Sequence, residues 1–158
     1  LSVRILLTEL LGRYPEIVYD SHHRPYLAGR EKHISISHSR SLVAVIAGER
    51  PAGIDTEELH RDISPIIHRF MNAAEITWSS VAPDPSRAQV LCWSIKESVF
   101  KLMATENVDF RSMISIDPVG SDNLGRTTAN FRMSKETVSI EVHYLFEQNN
   151  VITWCELP

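Results

Sequence analysis

The segment Gly53-Ile54-Asp55-Thr56-Glu57, read together with Trp93-Ser94-Ile95-Lys96-Glu97-Ser98-Val99-Phe100-Lys101, decides the architecture of this chain. The first stretch reads as a short strand, where alternate side chains share a face, so Asp55 and Glu57 project together. Ile54 and Thr56 take the opposite face, Gly53 permits close backbone approach, and an apolar strand precedes the segment. Glu58 points away from the pair and belongs to the surface. The second stretch reads as a helix on which Trp93, Glu97 and Lys101 fall at i, i+4 and i+8 along one stripe. Packing strand against helix brings Asp55, Glu57, Glu97 and Lys101 to one point. That is a donor set for a hard divalent cation holding a phosphorylated substrate, because magnesium takes one or two carboxylates and completes its octahedron with water and phosphate oxygens. Trp93 is expected to be partly buried, and a carboxylate on a half-buried stripe needs a cation partner, which Lys101 or a metal supplies.

Outward from these segments the pattern is mixed. Residues 1–12 read as a helix with Leu1, Ile5, Leu6 and Leu10 on one face and Gly12 as its stop. A strand from Glu16 to Tyr19 leads to a loop holding Arg24-Pro25-Tyr26-Leu27. Strands follow at His33–His38 and Ser41–Ala47, the second apolar enough for a strand covered on both faces. Ser64–Ser79 reads as a broken helix, Val81–Ser86 as a loop, and Arg87 to Thr105 as the longest helix. Strands at Met113–Ile116, Ala129–Met133, Val138–Phe146 and Val151–Cys155 close the chain, with Gly120–Thr128 left as a loose stretch and Gln148-Asn149-Asn150 as a hairpin turn. Val138, Ile140, Val142, Tyr144 and Phe146 alternate onto one face. Interspersed helices with an antiparallel tail give an α+β class.

Length and composition narrow the rest. A chain of 158 residues suits one domain or two small, intimately packed halves, and 43% hydrophobic residues build an ordinary core. No apolar run approaches the roughly eighteen residues of a membrane span. The net charge of −4 gives no reason to expect nucleic acid. Cys92 and Cys155, each among apolar neighbours, read as reduced buried thiols. The chain begins at Leu1 without a methionine and already inside a helical pattern, so it is expected to be incomplete. With no signal-peptide pattern, a cytoplasmic address is expected.

Ser35-Ile36-Ser37-His38-Ser39 is the third polar element. Alternation puts Ser35, Ser37 and Ser39 on one face with His38 at the strand end, where hydroxyls and an imidazole can bind phosphate oxygens or simply form a polar edge. A serine-hydrolase reading fails for want of a Gly-x-Ser-x-Gly elbow. Zinc fails because His22-His23, His60 and His68 show no spacing with cysteine. Arg24, stiffened by Pro25, can present its guanidinium to a phosphate.

Taken in order, Arg24-Pro25-Tyr26, Ser35–Ser39, Gly53–Glu57 and Trp93–Lys101 resemble the motifs of the 4′-phosphopantetheinyl transferases, in particular the surfactin-synthetase-activating type. The resemblance implies two similar α+β halves about a pseudo-twofold axis with coenzyme A between them. The halves would be residues 1–50, apparently shortened, and residues 51–158, which carry the metal site. It implies transfer of phosphopantetheine from coenzyme A to a serine of an acyl or peptidyl carrier protein, with release of adenosine 3′,5′-bisphosphate. By matching position, Asp55, Glu57 and Glu97 would hold Mg²⁺ on the pyrophosphate. Arg24 (in place of the usual lysine), Ser37, His38, Lys96 and Lys101 would bind coenzyme A. Glu97, directly or through a metal-bound water, is the candidate general base for the carrier serine. The same motifs on a non-catalytic coenzyme A or carrier-protein-binding module are the alternative, and turnover separates the two. A plain interaction domain with a decorative acidic pair would show no magnesium-dependent coenzyme A binding. Fatty-acid, polyketide and peptide-synthetase carriers all fit equally.

Overall fold

A computed structural model describes residues 2–157. Helix α1 (Ser2–Leu11) is followed by the short strands β1 (Ile17–Tyr19) and β2 (Pro25–Leu27), then by β3 (His33–His38) and β4 (Val43–Gly48). Next come β5 (Ala52–Glu58), a 3-10 turn at Ser64–Ile66, and the helices α2 (Ile67–Phe70), α3 (Ala73–Ser80) and α4 (Pro85–Met103). The chain continues through α5 (Phe110–Met113) into β6 (Ile114–Ile116), β7 (Leu124–Arg132), β8 (Thr137–Glu147) and β9 (Asn150–Glu156). The strands β5-β9-β8-β7-β6 form a five-stranded sheet in that order, while β1-β2 and β3-β4 are two-stranded. Every pairing is antiparallel. The class is α+β, as the interspersed pattern predicts.

Helix α4 is the structural axis. Asp84 caps it by accepting from the Arg87 amide at 3.0 Å, Pro85 pre-sets its first turn, and Ala104 closes it in the left-handed region at φ 49°. Its apolar face, with Val90, Leu91, Ile95 and Val99 fully buried, packs with Ile114, Phe131, Ile140 and Val142 from the sheet. Burial of each such side chain contributes about 1.5–3 kcal/mol. Gly53 explains how closely α4 approaches β5: a Cβ there would overlap the Ser98 carbonyl oxygen.

A second, smaller cluster gathers Leu7, Leu27 and Ile34, with Val3, Ile17, Ile36 and Val45 around it. Its joint with the large sheet is polar. The Ser35 hydroxyl accepts from the Ile54 amide at 3.1 Å, and Ser37 accepts from the Thr56 amide at 3.2 Å. Ser39 donates to the Asn150 side-chain oxygen at 2.8 Å, and the Asn150 amide donates to the Ser41 hydroxyl at 3.1 Å. These hydroxyls bridge β3 and the turn after it to β5 and β9.

Several expectations change. Leu7 is the fully buried residue of α1, whereas Ile5, Leu6 and Leu10 are exposed; the sequence pattern selected the wrong stripe because the helix is apolar on more than one face. Leu1 lies outside the described residues. Arg24 precedes a strand, not a loop, since Pro25–Leu27 pairs with β1. The apolar β4 is less enclosed than expected, with Ala44 its single buried residue and the others on both faces half-buried. Residues 124–128 are the start of β7, paired with Leu145 to Glu141 of β8. Both cysteines are free and buried, and burial pushes the Cys155 thiol up to about 12. No helix among the described residues is long and apolar enough to cross a membrane.

Candidate functional site

β5 delivers Asp55 and Glu57 on the face that meets α4, and α4 returns Trp93, Ser94, Glu97 and Lys101 to the same place. Asp55 is buried and fully engaged. Its Oδ1 accepts from Ser37 Oγ and from Lys101 Nζ, both at 2.9 Å, and its Oδ2 accepts from Ser94 Oγ at 3.0 Å. Lys101 also donates to the Ile54 carbonyl at 3.0 Å, which fixes the ammonium against the β5 backbone. Ser94 is itself held by Thr153, whose hydroxyl donates to the Ser94 carbonyl at 2.8 Å. Thr153 stands opposite Asp55 in the β5–β9 register, so the sheet, the helix and the carboxylate are tied at one level.

Glu57 has a different set of partners. Its Oε1 accepts from the Trp93 indole Nε1 at 2.7 Å, and Arg61 Nη1 donates to both carboxylate oxygens at 2.7 Å. Glu97 lies between the two acids on the helix stripe and makes no hydrogen bond or ion pair among the described residues. Burial, and then the negative charges of Asp55 and Glu57, push its carboxyl up to about 7 against the opposing pull of Lys101 and Arg61. The three predicted carboxylates therefore converge electrostatically, and the one without a partner bears the strain.

The donor set suits a hard divalent cation in kind and in charge: three carboxylates, one of them unpaired and raised by burial and then by its acidic neighbours. In arrangement, Lys101 and Arg61 occupy the places a cation would take on Asp55 and Glu57. Among the described residues no three His, Cys, Asp or Glu side chains are grouped as a ready metal site.

Lys101 opens onto a cleft of about 800 Å³ between the end of α4 and the β2–β3 region. Arg24 lines the same cleft, together with His22, His23 and His33, so the predicted pair Arg24 and Lys101 is brought together. His38 is exposed but lines a separate open groove with Glu57 and Arg61.

Two expected ligand contacts are corrected. Lys96 is fully buried, and its ammonium donates to Glu75 Oε2 at 2.8 Å and to the carbonyls of Phe70, Ile114 and Phe110 at 2.7, 2.6 and 2.9 Å. No donor remains for a phosphate. One residue along the helix from Glu97 points about 100° away, and here that direction is the core. Ser37 is also buried, its hydroxyl spent on Asp55 and the Thr56 amide. It orients the acid instead of meeting a ligand.

Sequence reading missed Arg61, Ser94, Thr153 and Glu75. Ser94 had a signal, as a polar residue on the apolar face of α4. Arg61 had none, because a strand gives no reason for a residue four positions past Glu57 to turn back to it.

The family model of the 4′-phosphopantetheinyl transferase superfamily matches residues 51–155. The chain belongs to that superfamily. Among solved structures, it is similar to the holo-[acyl-carrier-protein] synthase of Thermotoga maritima, at 14% identity and a TM-score of 0.51, over 66% of this chain and 61% of that one. At this identity the likeness is one of fold, and the chain spans about three-fifths of that structure's length. No curated protein matches the chain in sequence. The matched span contains the whole carboxylate cluster, while Arg24, Ser37 and His38 lie before it.

Proposed function

We propose that this protein transfers 4′-phosphopantetheine from coenzyme A to a serine of an acyl or peptidyl carrier protein, with Mg²⁺, in the manner of the surfactin-synthetase-activating type. The observation that carries the reading is the face shared by β5 and α4, where Lys101 holds Asp55, Trp93 holds Glu57 and Glu97 is influenced by the charge of both acids, beside a cleft lined by Arg24 and Lys101. Membership of the superfamily supports the same reaction class. Residues 1–50 and 51–158 then serve as the two halves around coenzyme A, a division supported by the two separate apolar clusters.

In the reaction, the carrier serine oxygen bonds to the β-phosphorus of coenzyme A. The bond from that phosphorus to the bridging oxygen breaks, and adenosine 3′,5′-bisphosphate leaves. Glu97, directly or through a water, takes the serine proton. Lys101 and Arg24 place positive charge along the cleft, where the phosphates of coenzyme A lie and negative charge grows on the leaving group. Ser37 and Ser94 hold Asp55 in one orientation, and Trp93 does the same for Glu57. A magnesium ion held by Asp55, Glu57 and Glu97 would supply further neutralisation of the pyrophosphate.

The test is incubation with Mg²⁺, coenzyme A and an apo carrier protein, followed by intact-mass measurement of the carrier. Gain of one phosphopantetheine, abolished by Glu97→Gln, is expected. A specific observation supports the second reading, a non-catalytic binder: Asp55 and Glu57 already have internal cations, so these two acids are satisfied without metal. Coenzyme A binding without modification of any carrier would favour it.

A further inference from the structure

Arg61 sits in the turn just past β5, with its side chain folded back over the strand's acid. Its Nη1 lies 2.7 Å from both oxygens of Glu57, and its Cζ is 5.7 Å from the centre of the Trp93 ring. The guanidinium makes no other hydrogen bond among the described residues. The pair is lopsided: the Arg61 side chain is 45% exposed, while that of Glu57 is 15% exposed. Its counterpart on Asp55 is anchored differently, since Lys101 also holds the Ile54 carbonyl and is only 27% exposed. Arg61 is therefore the cation of the cluster that can leave without breaking a hydrogen bond to any other residue, giving up only its place over the Trp93 ring. The open groove of about 690 Å³ beside it, lined by His38, Ser39 and Glu58 among others, gives the side chain room to do so.

We propose that Arg61 is a tethered cation that competes with the divalent ion for Glu57. It holds the carboxylate while the ion is absent and is displaced into the groove when the ion arrives. The proposal rests on the reading that Asp55, Glu57 and Glu97 hold a divalent ion. Trp93 and Arg61 together already take three donors' worth of the Glu57 lone pairs, and a guanidinium and a divalent ion on one carboxylate repel each other, so the two compete for it. The exchange costs little, because a half-exposed ion pair is worth little to the fold. The indole of Trp93 keeps Glu57 Oε1 in place through the exchange, and Arg61 leaves the face of its ring.

The test is titration with Mn²⁺ alone, reading the free ion by electron paramagnetic resonance, on wild-type protein, Arg61→Gln and Asp55→Asn, with circular dichroism to verify the fold. Removing the competitor is expected to tighten Mn²⁺ binding about three- to tenfold in Arg61→Gln, the range of an exposed to part-buried ion pair. Tryptophan emission should change on Mn²⁺ saturation of the wild type, and change less in Arg61→Gln, whose ring face is already free. Equal or weaker binding in folded Arg61→Gln, with binding still lost in Asp55→Asn, would overturn the role of Arg61 and leave the ion site standing. Absence of Mn²⁺ binding in both wild type and Arg61→Gln would overturn the ion site and the proposal together.

Discussion

Glu97 is the site carboxyl whose protonation is set by its surroundings, and it makes a sharp prediction. Its carboxyl rises from an ordinary 4.5 to about 7, chiefly through burial and then through Asp55 and Glu57. A raised value means the folded protein holds this proton more tightly than the unfolded chain. The stability so gained is fully present below about pH 4.5 and is lost as the pH rises through about 7. Glu97→Gln stays neutral throughout. In EDTA it should melt at the wild-type temperature near pH 4.5 and at a higher temperature near pH 8, as followed by thermal denaturation. A difference independent of pH would contradict the assignment. Lys101 is the second residue at this scale. Lys101→Ala is expected to weaken coenzyme A binding about tenfold or more by calorimetry, the loss of a charge-assisted contact to phosphate.

At the scale of elements, α4 depends on two contacts that have no catalytic role. Glu75 both closes the capping box of α3 with Asn72 and receives Lys96, and its other oxygen accepts the Ile116 amide at 3.0 Å. Lys96→Met leaves Glu75 buried and unpaired. It should destabilise by about 3–5 kcal/mol in denaturant unfolding, while coenzyme A affinity at low temperature stays within about twofold. A large loss of affinity in a folded variant would restore Lys96 to the cleft. Gly53→Ala should destabilise by about 2–4 kcal/mol, since the methyl meets the α4 backbone, which cannot move aside without shifting the helix. The stripe Trp93-Glu97-Lys101 and the alternation Asp55-Glu57 were legible because helix and strand periods fix which side chains share a face. Which neighbours of that stripe turn inward was not: Lys96 looks like any surface lysine until Glu75 and three carbonyls are seen around it. The face of α1 was misread for a related reason, as Ile5, Leu6 and Leu7 are equally apolar and only the packing partner selects Leu7.

At the scale of the molecule, the sequence carries the α+β class and the hairpin that closes the chain, because β8 alternates cleanly and the Gln148-Asn149 turn pairs it with β9. It does not carry the serine-mediated joint between β3 and β5, which depends on hydroxyls meeting amides from a strand distant in the chain. Nor does it carry the pairing of each acid with its own cation, Lys101 for Asp55 and Arg61 for Glu57. Under the proposed function, Glu57 has to exchange its internal cation for the divalent ion. The account therefore rests on one claim, that the carboxylates of β5 and α4 form a cation-assisted site for the pyrophosphate of coenzyme A. Calorimetric titration with coenzyme A, in Mg²⁺ and again in EDTA, tests it most directly. The account predicts binding at least about tenfold tighter with Mg²⁺, as expected when a divalent ion joins carboxylates to phosphate oxygens, and loss of that gain in Asp55→Asn. Affinity indifferent to both Mg²⁺ and Asp55→Asn would contradict it.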